Sequence, residues 1–528
     1  MAVLEFLSLP LLVLLPLAFM VIIPNVFHHR RRHLPPSPIA MPLIGHFHLL
    51  SPVLHASFRD LSLRWGPIYS IRLGALPCVV VSSPELGREL LMTNELSFTS
   101  RIEAFAISRL TYATSTAFNP YDATFKFIHR LTMNEFLGNR PVSAHAPLRA
   151  RELRRFLRVL AEKSERGEAS NLTEELQNLT YAVILQMVCG VDRSLVEDPE
   201  AKTAVYGMLT IFGNFSVSDF VWILRWLDLQ GSWKRTEKIF RKFDVLMETV
   251  LVEREELRRK QKEVGKELGV KDGNFLDILL DHLEVHKDEN VQFNRPRVKG
   301  LIIDLILAGL ETTAATVEWM LSELINNPTV LEKARQEIDR VVGQTRLVNE
   351  SDGPNLPYMQ AIIKEVLRLH PVSPVITRKC VKEHKVGKYV IPVDTILFVN
   401  NWSISRDPNY WESPLEFRPE RFLQVRKEGS KTGTDIKGQH FELLPFGTGR
   451  RMCPGMNFSL QMLPIVAATI IQCFDLKIVD SLGNKSDGHG STVNMEEGPG
   501  TIVPKLHQLV CVPVARLNPL SVILEPEL

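Results

Sequence analysis

Residues 446–455 read Phe446-Gly447-Thr448-Gly449-Arg450-Arg451-Met452-Cys453-Pro454-Gly455. A lone cysteine flanked by glycines and two arginines has the makings of a metal-bound thiolate. Cysteine sulfur coordinates metal as the anion, and guanidinium groups or backbone N–H groups directed at the sulfur favour that anion. Gly449 and Gly455 allow a tight turn and close approach to a flat cofactor. Zinc is a poor fit, because it usually collects four ligands at spacings such as C-x-x-C. A single thiolate axial to haem iron needs no second cysteine. The ordinary alternative is an inert buried thiol on a turn. A dinucleotide loop fits worse, since Met452 stands where the third glycine of G-x-G-x-x-G belongs.

A second group with chemical potential is Ala308-Gly309-Leu310-Glu311-Thr312-Thr313. A carboxylate beside a hydroxyl in a buried helix is a natural proton-delivery pair. A mid-helix glycine costs about 1 kcal/mol relative to alanine, so something else favours Gly309, and a gap for a bound molecule is one expectation. Taken alone, Thr312 would simply bond back to the carbonyl four residues earlier. Glu365 and Arg368 stand three apart and share a helix face; by themselves they would be a solvated surface pair.

These residues need elements to hold them. Between Pro296 and Pro328 runs a helical pattern of about 30 residues, roughly 45 Å long, enough to cross a domain. It is apolar on most faces and predicts a buried helix. Pro371 ends the helix that carries Glu365 and Arg368. Short β-rich pieces are predicted at Tyr69 to Leu73 and Cys78 to Val81, and a long amphipathic helix at Lys234 to Lys260. The stretches Gln261 to Asn274 and Glu284 to Asn290 are charged, turn-rich and predicted to be exposed. Mostly helix with small β pieces is an α+β arrangement.

The 528 residues are 45% hydrophobic, ample for a substantial core. A formal charge of +2 gives no basic field, so nucleic-acid binding has no compositional support. The six cysteines are scattered without close pairs, which suits a reducing compartment. Phe6 to Phe27 carries no charge and as a helix would span roughly 33 Å, a bilayer core. The basic run His28-His29-Arg30-Arg31-Arg32-His33 follows it, which by the positive-inside rule leaves the N-terminus lumenal and the body cytosolic. Residues 1–33 are therefore expected to be an anchor with its basic stop. Residues 34–45, rich in proline, would be a stiff spacer, and 46–528 the catalytic body.

The cysteine run resembles the F-x-x-G-x-R-x-C-x-G signature of the cytochrome P-450 superfamily, the haem-thiolate monooxygenases, matching it at Phe446, Gly449, Arg451, Cys453 and Gly455. Residues 308–313 resemble that family's [AG]-G-x-[DE]-T-[ST] segment. Lys364 to His370 with Pro419-Glu420-Arg421-Phe422 resembles its E-x-x-R helix and distant arginine. The resemblance implies a mainly helical P-450 fold with small β-sheets and an N-terminal transmembrane helix. It implies haem b ligated by Cys453, Thr312 and Glu311 delivering protons to dioxygen, and a structural network of Glu365, Arg368 and Arg421. Arg378 sits where the family places a haem-propionate partner. One departure is visible: the family's W-x-x-x-[RK] aligns with Phe125 to His129, so His129 or Arg130 would have to substitute. Pocket walls would include Ala308, Leu310, Val375, Ile376 and Thr501.

Blocks at His55 to Arg64, Arg109 to Tyr112, Val217 to Phe220, Leu227 to Gly231 and Gly438 to Pro445 look like flavone synthase II and its flavanone 2-hydroxylase relatives. That likeness implies a flavonoid substrate, oxidised at C-2 of a flavanone to a 2-hydroxyflavanone or flavone. Relatives acting on isoflavonoid precursors or triterpenes share many of the blocks. A haem protein without turnover and a membrane scaffold are the non-enzymatic readings. With no convincing flavin or nicotinamide fingerprint in the chain, electrons would come from NADPH through a separate NADPH-cytochrome P-450 reductase. The implied location is the endoplasmic reticulum membrane, single-pass, with the catalytic body cytosolic.

Overall fold

The computed structural model describes residues 33–102, 104–191, 193–213, 220, 231–263, 274–285, 293–423, 435–479 and 492–517. The expected membrane segment Phe6 to Phe27 lies outside them. So do most of the two charged stretches, most of the blocks near 217–231, and the last eleven residues.

The longer helices that frame the site are α1 (Leu54–Trp65), α2 (Ala123–Thr132), α3 (Ala146–Arg166), α4 (Leu172–Cys189), α5 (Ser232–Glu263), α6 (Arg295–Asn326), α7 (Pro328–Val341), α8 (Pro357–Leu369) and α9 (Met456–Cys473). The predicted long helix is α6. Its start is set by Asn294, whose side chain accepts from the Arg297 backbone N–H at 3.1 Å, with Pro296 in the first turn where its missing N–H costs nothing. It ends before Pro328, which opens α7. Both α6 and α9 are long and apolar enough to cross a membrane, but each is mostly buried inside the protein.

Packing of α6 on α4 explains Gly309. A Cβ at that position would lie 2.7 Å from Ile184 Cδ1, so the glycine lets the two helices approach, rather than opening a gap for a ligand as its sequence context suggested. Thr180 Oγ1 donates to the Leu310 carbonyl at 2.8 Å across the same contact.

The strands are β1 (Ile68–Leu73), β2 (Leu76–Val81), β3 (Ser170–Asn171), β4 (Val375–Lys379), β5 (His384–Val386), β6 (Tyr389–Ile391), β7 (Ile396–Asn400), β8 (Phe474–Ile478) and β9 (Val510–Ala515). They form a four-stranded sheet in the order β1-β2-β7-β4, a three-stranded sheet β3-β9-β8, and the pair β5-β6. The β1–β2 hairpin is antiparallel, β2 runs parallel to β7, and β4 closes the sheet antiparallel to β7 with Arg378 opposite Leu397. The proline-rich segment lies against β1. Proline has no N–H to give, and the segment offers carbonyls instead: Pro36 accepts from the Ser70 N–H at 2.8 Å and Pro35 from Ser70 Oγ at 2.9 Å.

Candidate active site

The cysteine loop turns on glycines in the left-handed region, Gly447 at φ +70° and Gly449 at φ +68°. A Cβ on Gly449 would also sit 2.3 Å from Glu95 Oε1, so glycine is required twice over. Glu95 accepts from the Arg450 backbone N–H and pairs with its guanidinium at 3.4 Å. The Cys453 N–H donates to the Phe446 carbonyl at 2.9 Å, closing the loop. Gly455 then caps α9, and its N–H and that of Met456 bond to the thiol sulfur. Burial pushes the Cys453 thiol up, while those N–H groups and Arg101 pull it down, the pattern expected of a sulfur set before a helix N-terminus. All six cysteines are free; Cys453 alone is accessible at its surface, yet it sits deep enough among protein atoms that desolvation still opposes its ionisation. Buried Cys189, Cys473 and Cys511 are pushed up to about 12, inert thiols by comparison.

The pair at Glu365 and Arg368 is wholly buried rather than solvated, both side chains at 0% exposure. Its carboxylate accepts from Arg368 Nε and Nη2 at 2.8 Å each, from Arg421 Nε at 3.0 Å and from the Arg418 backbone N–H at 2.9 Å. Arg368 spends its remaining donors on the carbonyls of Ser405, Pro414 and Glu416 at 2.9, 2.7 and 3.1 Å. Every polar atom of the pair is used, the condition under which a buried ion pair holds. Its helix, α8, packs on α9, whose first turn faces Cys453.

Beside the sulfur lies a cluster of guanidiniums: Arg101, Arg378 and Arg451. Among the described residues none of them has a carboxylate at ion-pair distance. Arg451 donates to the carbonyls of Thr99 at 2.9 Å, Thr116 at 3.2 Å and Asn119, and its guanidinium lies 4.1 Å from the Phe125 ring centroid. Arg378 donates to Thr377 O at 2.9 Å and weakly to Arg451 O at 3.4 Å. Arg101 Nε is buried with no hydrogen-bond partner. Burial, then the charges of Arg101 and Arg451, hold Arg378 well below the usual arginine range, and burial brings Arg451 to about 10. Uncompensated cations at this depth call for an anionic group. A flat cofactor with carboxylates on one edge and an open iron position fits this cluster together with the adjoining sulfur.

The aligned His129 does not add a cation. Burial and then Arg451 lower its pKa, which leaves it neutral near pH 7. Arg130 is exposed and lines a groove with Tyr121, Phe125, Lys126, His129 and Arg450. Phe125 acts as a platform under Arg451.

On the other side, α6 is buried along most of its length, yet Ala308 is exposed, and Asp304, Glu311 and Thr312 are partly so. Positions 304, 308 and 312 recur every four residues and share a face; that face borders an open space. Thr312 Oγ1 donates to the Ala308 carbonyl at 2.7 Å, the ordinary helix back-bond, which leaves its lone pairs free to accept. Burial raises the Glu311 pKa, so this carboxyl carries a proton closer to neutral pH than an ordinary one. Thr116 joins the two elements, its N–H donating to Asp304 of α6 at 2.6 Å and its carbonyl accepting from Arg451 of the cysteine loop at 3.2 Å.

Two expected pocket walls are core instead. Leu310 is fully buried in the main apolar cluster, and Ile376, 7% exposed, packs among Val79, Leu90 and Phe98. Both lost out to packing: Leu310 faces α4, and Ile376 points to the inner side of the sheet by strand alternation. Val375 is half-buried on the opposite side of β4 and Thr501 is exposed. Arg101 and Asp304 were not singled out from sequence, since neither stands in a motif. Arg101 reaches the cluster because its neighbour Ser100 bridges to Lys379 beside Arg378.

A family model for cytochrome P-450 matches residues 35–502. Cytochrome P-450 93B2 of Gerbera hybrida is 48% identical over 514 residues, 96% of each chain. A 2-hydroxyisoflavanone synthase of Glycyrrhiza uralensis is 46% identical over 492 residues, 92% of each chain. A 3,9-dihydroxypterocarpan 6A-monooxygenase of Glycine max is 42% identical over 501 residues, 93% of this chain and 95% of that one.

Proposed function

Because the chain belongs to the cytochrome P-450 family, whose members are haem-thiolate monooxygenases fed by NADPH through a reductase, we propose that it oxidises flavanones at C-2. Haem b would be held by the Cys453 sulfur below and by Arg101, Arg378 and Arg451 at its carboxylate edge. Phe446, Gly449 and Gly455 let the loop come close. When bound, haem supplies the one-electron chemistry that activates dioxygen.

The chain's own residues do the rest. Ala308, small and exposed, leaves room for a flat ring system over the site. Thr312 offers a hydroxyl that can accept a hydrogen bond on that face, and Glu311, with its raised pKa, supplies protons to it. Removal of hydrogen from C-2 followed by hydroxyl addition gives the 2-hydroxyflavanone and one water. Loss of a second hydrogen from C-3 gives the flavone and two waters. Either way one dioxygen and one NADPH are consumed. The observation that supports catalysis is the accessible Ala308 with partly open Glu311 and Thr312 on α6, tied through Asp304, Thr116 and Arg451 to the loop that bears the one accessible cysteine. The substrate rests on the flavone-synthase-like blocks. Endoplasmic-reticulum anchoring through residues 1–33, with NADPH-cytochrome P-450 reductase as the electron donor, belongs to the same reading.

The second reading, an isoflavonoid precursor as substrate, is favoured by the 2-hydroxyisoflavanone synthase and pterocarpan monooxygenase relatives. Microsomes carrying the protein and reductase, given NADPH and a panel of naringenin, isoflavonoid precursors and triterpenes, separate the two. Flavone or 2-hydroxyflavanone from naringenin is expected. A rearranged isoflavonoid product, or product from the triterpenes alone, overturns the flavanone reading.

A further inference from the structure

Residues 111–119 are strung between the two halves of the site. At one end Asp304, one turn before Ala308 on the open face of α6, accepts from Ser115 Oγ at 2.7 Å, from the Thr116 N–H at 2.6 Å and from the Ala117 N–H at 3.4 Å. At the other, Arg451, two residues from Cys453, donates to the carbonyls of Thr116 at 3.2 Å and of Asn119. The segment needs holding. Tyr112 and Ala113 both sit in the left-handed region, at φ +56° and +54°, conformations that non-glycine residues keep only when their surroundings impose them. Thr114 is pressed against α6 where Gly300 makes room; a Cβ there would lie 2.1 Å from Thr114 Oγ1.

Burial outweighs its three donors and lifts Asp304 to about 6, so its charge is costly where it sits. What it does achieve is placement. With 115–117 fixed, the half-buried Phe118, next in chain to the Ala117 N–H that Asp304 accepts from, lies edge-on against Phe212 at 6.1 Å between ring centroids.

We propose that Asp304 is a positioning residue for substrate recognition: its hydrogen bonds to Ser115, Thr116 and Ala117 hold the 115–119 segment as a cavity wall and seat Phe118 for a flat aromatic substrate. This rests on family membership, and its substrate arm alone also rests on the flavanone reading.

The test uses the full-length haem-loaded protein carrying Asp304→Ala, Asp304→Asn or Ser115→Ala. Asp304→Ala should keep the thiolate-type carbon-monoxide difference spectrum, weaken the naringenin-induced spectral shift by about tenfold or more, and lower product formed per NADPH. Asp304→Asn should rescue both, because the amide oxygen can accept from Thr116 N–H while its NH₂ donates to Ser115 Oγ. Amide exchange at Thr116 and Ala117, which needs no substrate, should speed up in Asp304→Ala and stay near wild type in Asp304→Asn. If Asp304→Ala does not fold, Ser115→Ala carries the test, with faster exchange at Thr116 and a weaker shift expected. Unchanged exchange, or an asparagine variant as impaired as the alanine one, overturns the clamp. Wild-type protein that gives no shift with naringenin while the exchange contrast holds overturns the substrate reading instead.

Discussion

The cysteine side and the α6 side of this site are built on opposite terms. Around Glu365 and Arg368 every donor and acceptor has a partner, both side chains are wholly buried, and the loop bearing Cys453 is closed by its own backbone. Along the exposed face of α6, Thr312 bonds only back to its own helix and Glu311 is raised by burial, with no hydrogen bond to saturate either toward the open side among the described residues. Saturation makes a region rigid; unmet polar groups mark where something else is to be bound. On the proposed reading, that difference would separate the part that fixes the thiolate from the part that meets reactants.

Substitutions should expose that contrast. The largest effect is expected from Arg368→Ala, which leaves the Glu365 carboxylate buried with only Arg421 and one backbone N–H; breaking such a pair typically costs about 3–5 kcal/mol. Thermal unfolding and haem content should both fall together. Thr312→Ala, on the other side, should leave unfolding and the thiolate spectrum unchanged while product formation drops on the order of 100-fold, the scale of a lost proton-transfer group. A Thr312→Ala protein with lost haem would blur the division.

Gly309→Ala should cost about 1–3 kcal/mol in unfolding free energy through overpacking against Ile184. Adding Ile184→Val or Ile184→Ala should recover part of that loss, which a ligand-gap role for the glycine would not allow. The smallest effect concerns pH. Asp304 has a folded pKa of about 6 against an ordinary 3.8, so its protonated form favours the folded state below pH 4 and that contribution is lost as pH rises through 6. Asp304→Asn should therefore flatten the pH dependence of Tm between 4 and 6, with Arg101 the charged neighbour that pulls the Asp304 pKa down.

Much of this was legible in the residues. The cysteine loop, the long helix between Pro296 and Pro328 and the Glu365–Arg368 pair each combine a required residue type with local spacing, and local rules set turns, helix ends and helix faces. Leu310 and Gly309 were misread for one shared reason: which side of a buried helix meets a neighbour and which meets a cavity depends on α4, more than a hundred residues away in sequence. Arg101 and Asp304 were missed because their meaning comes from the Ser100–Lys379 bridge and from the 115–117 turn, neither of which has a sequence period. His129 looked like a possible cation until its burial beside Arg451 was on view.

Oxidation at flavanone C-2 is tested most directly with naringenin bearing deuterium at that carbon, turned over by the reductase-coupled protein and followed by mass spectrometry. Loss of the label from the product, flavone or 2-hydroxyflavanone alike, is predicted. Product that retains the deuterium would mean that hydrogen is taken from another carbon and would contradict it.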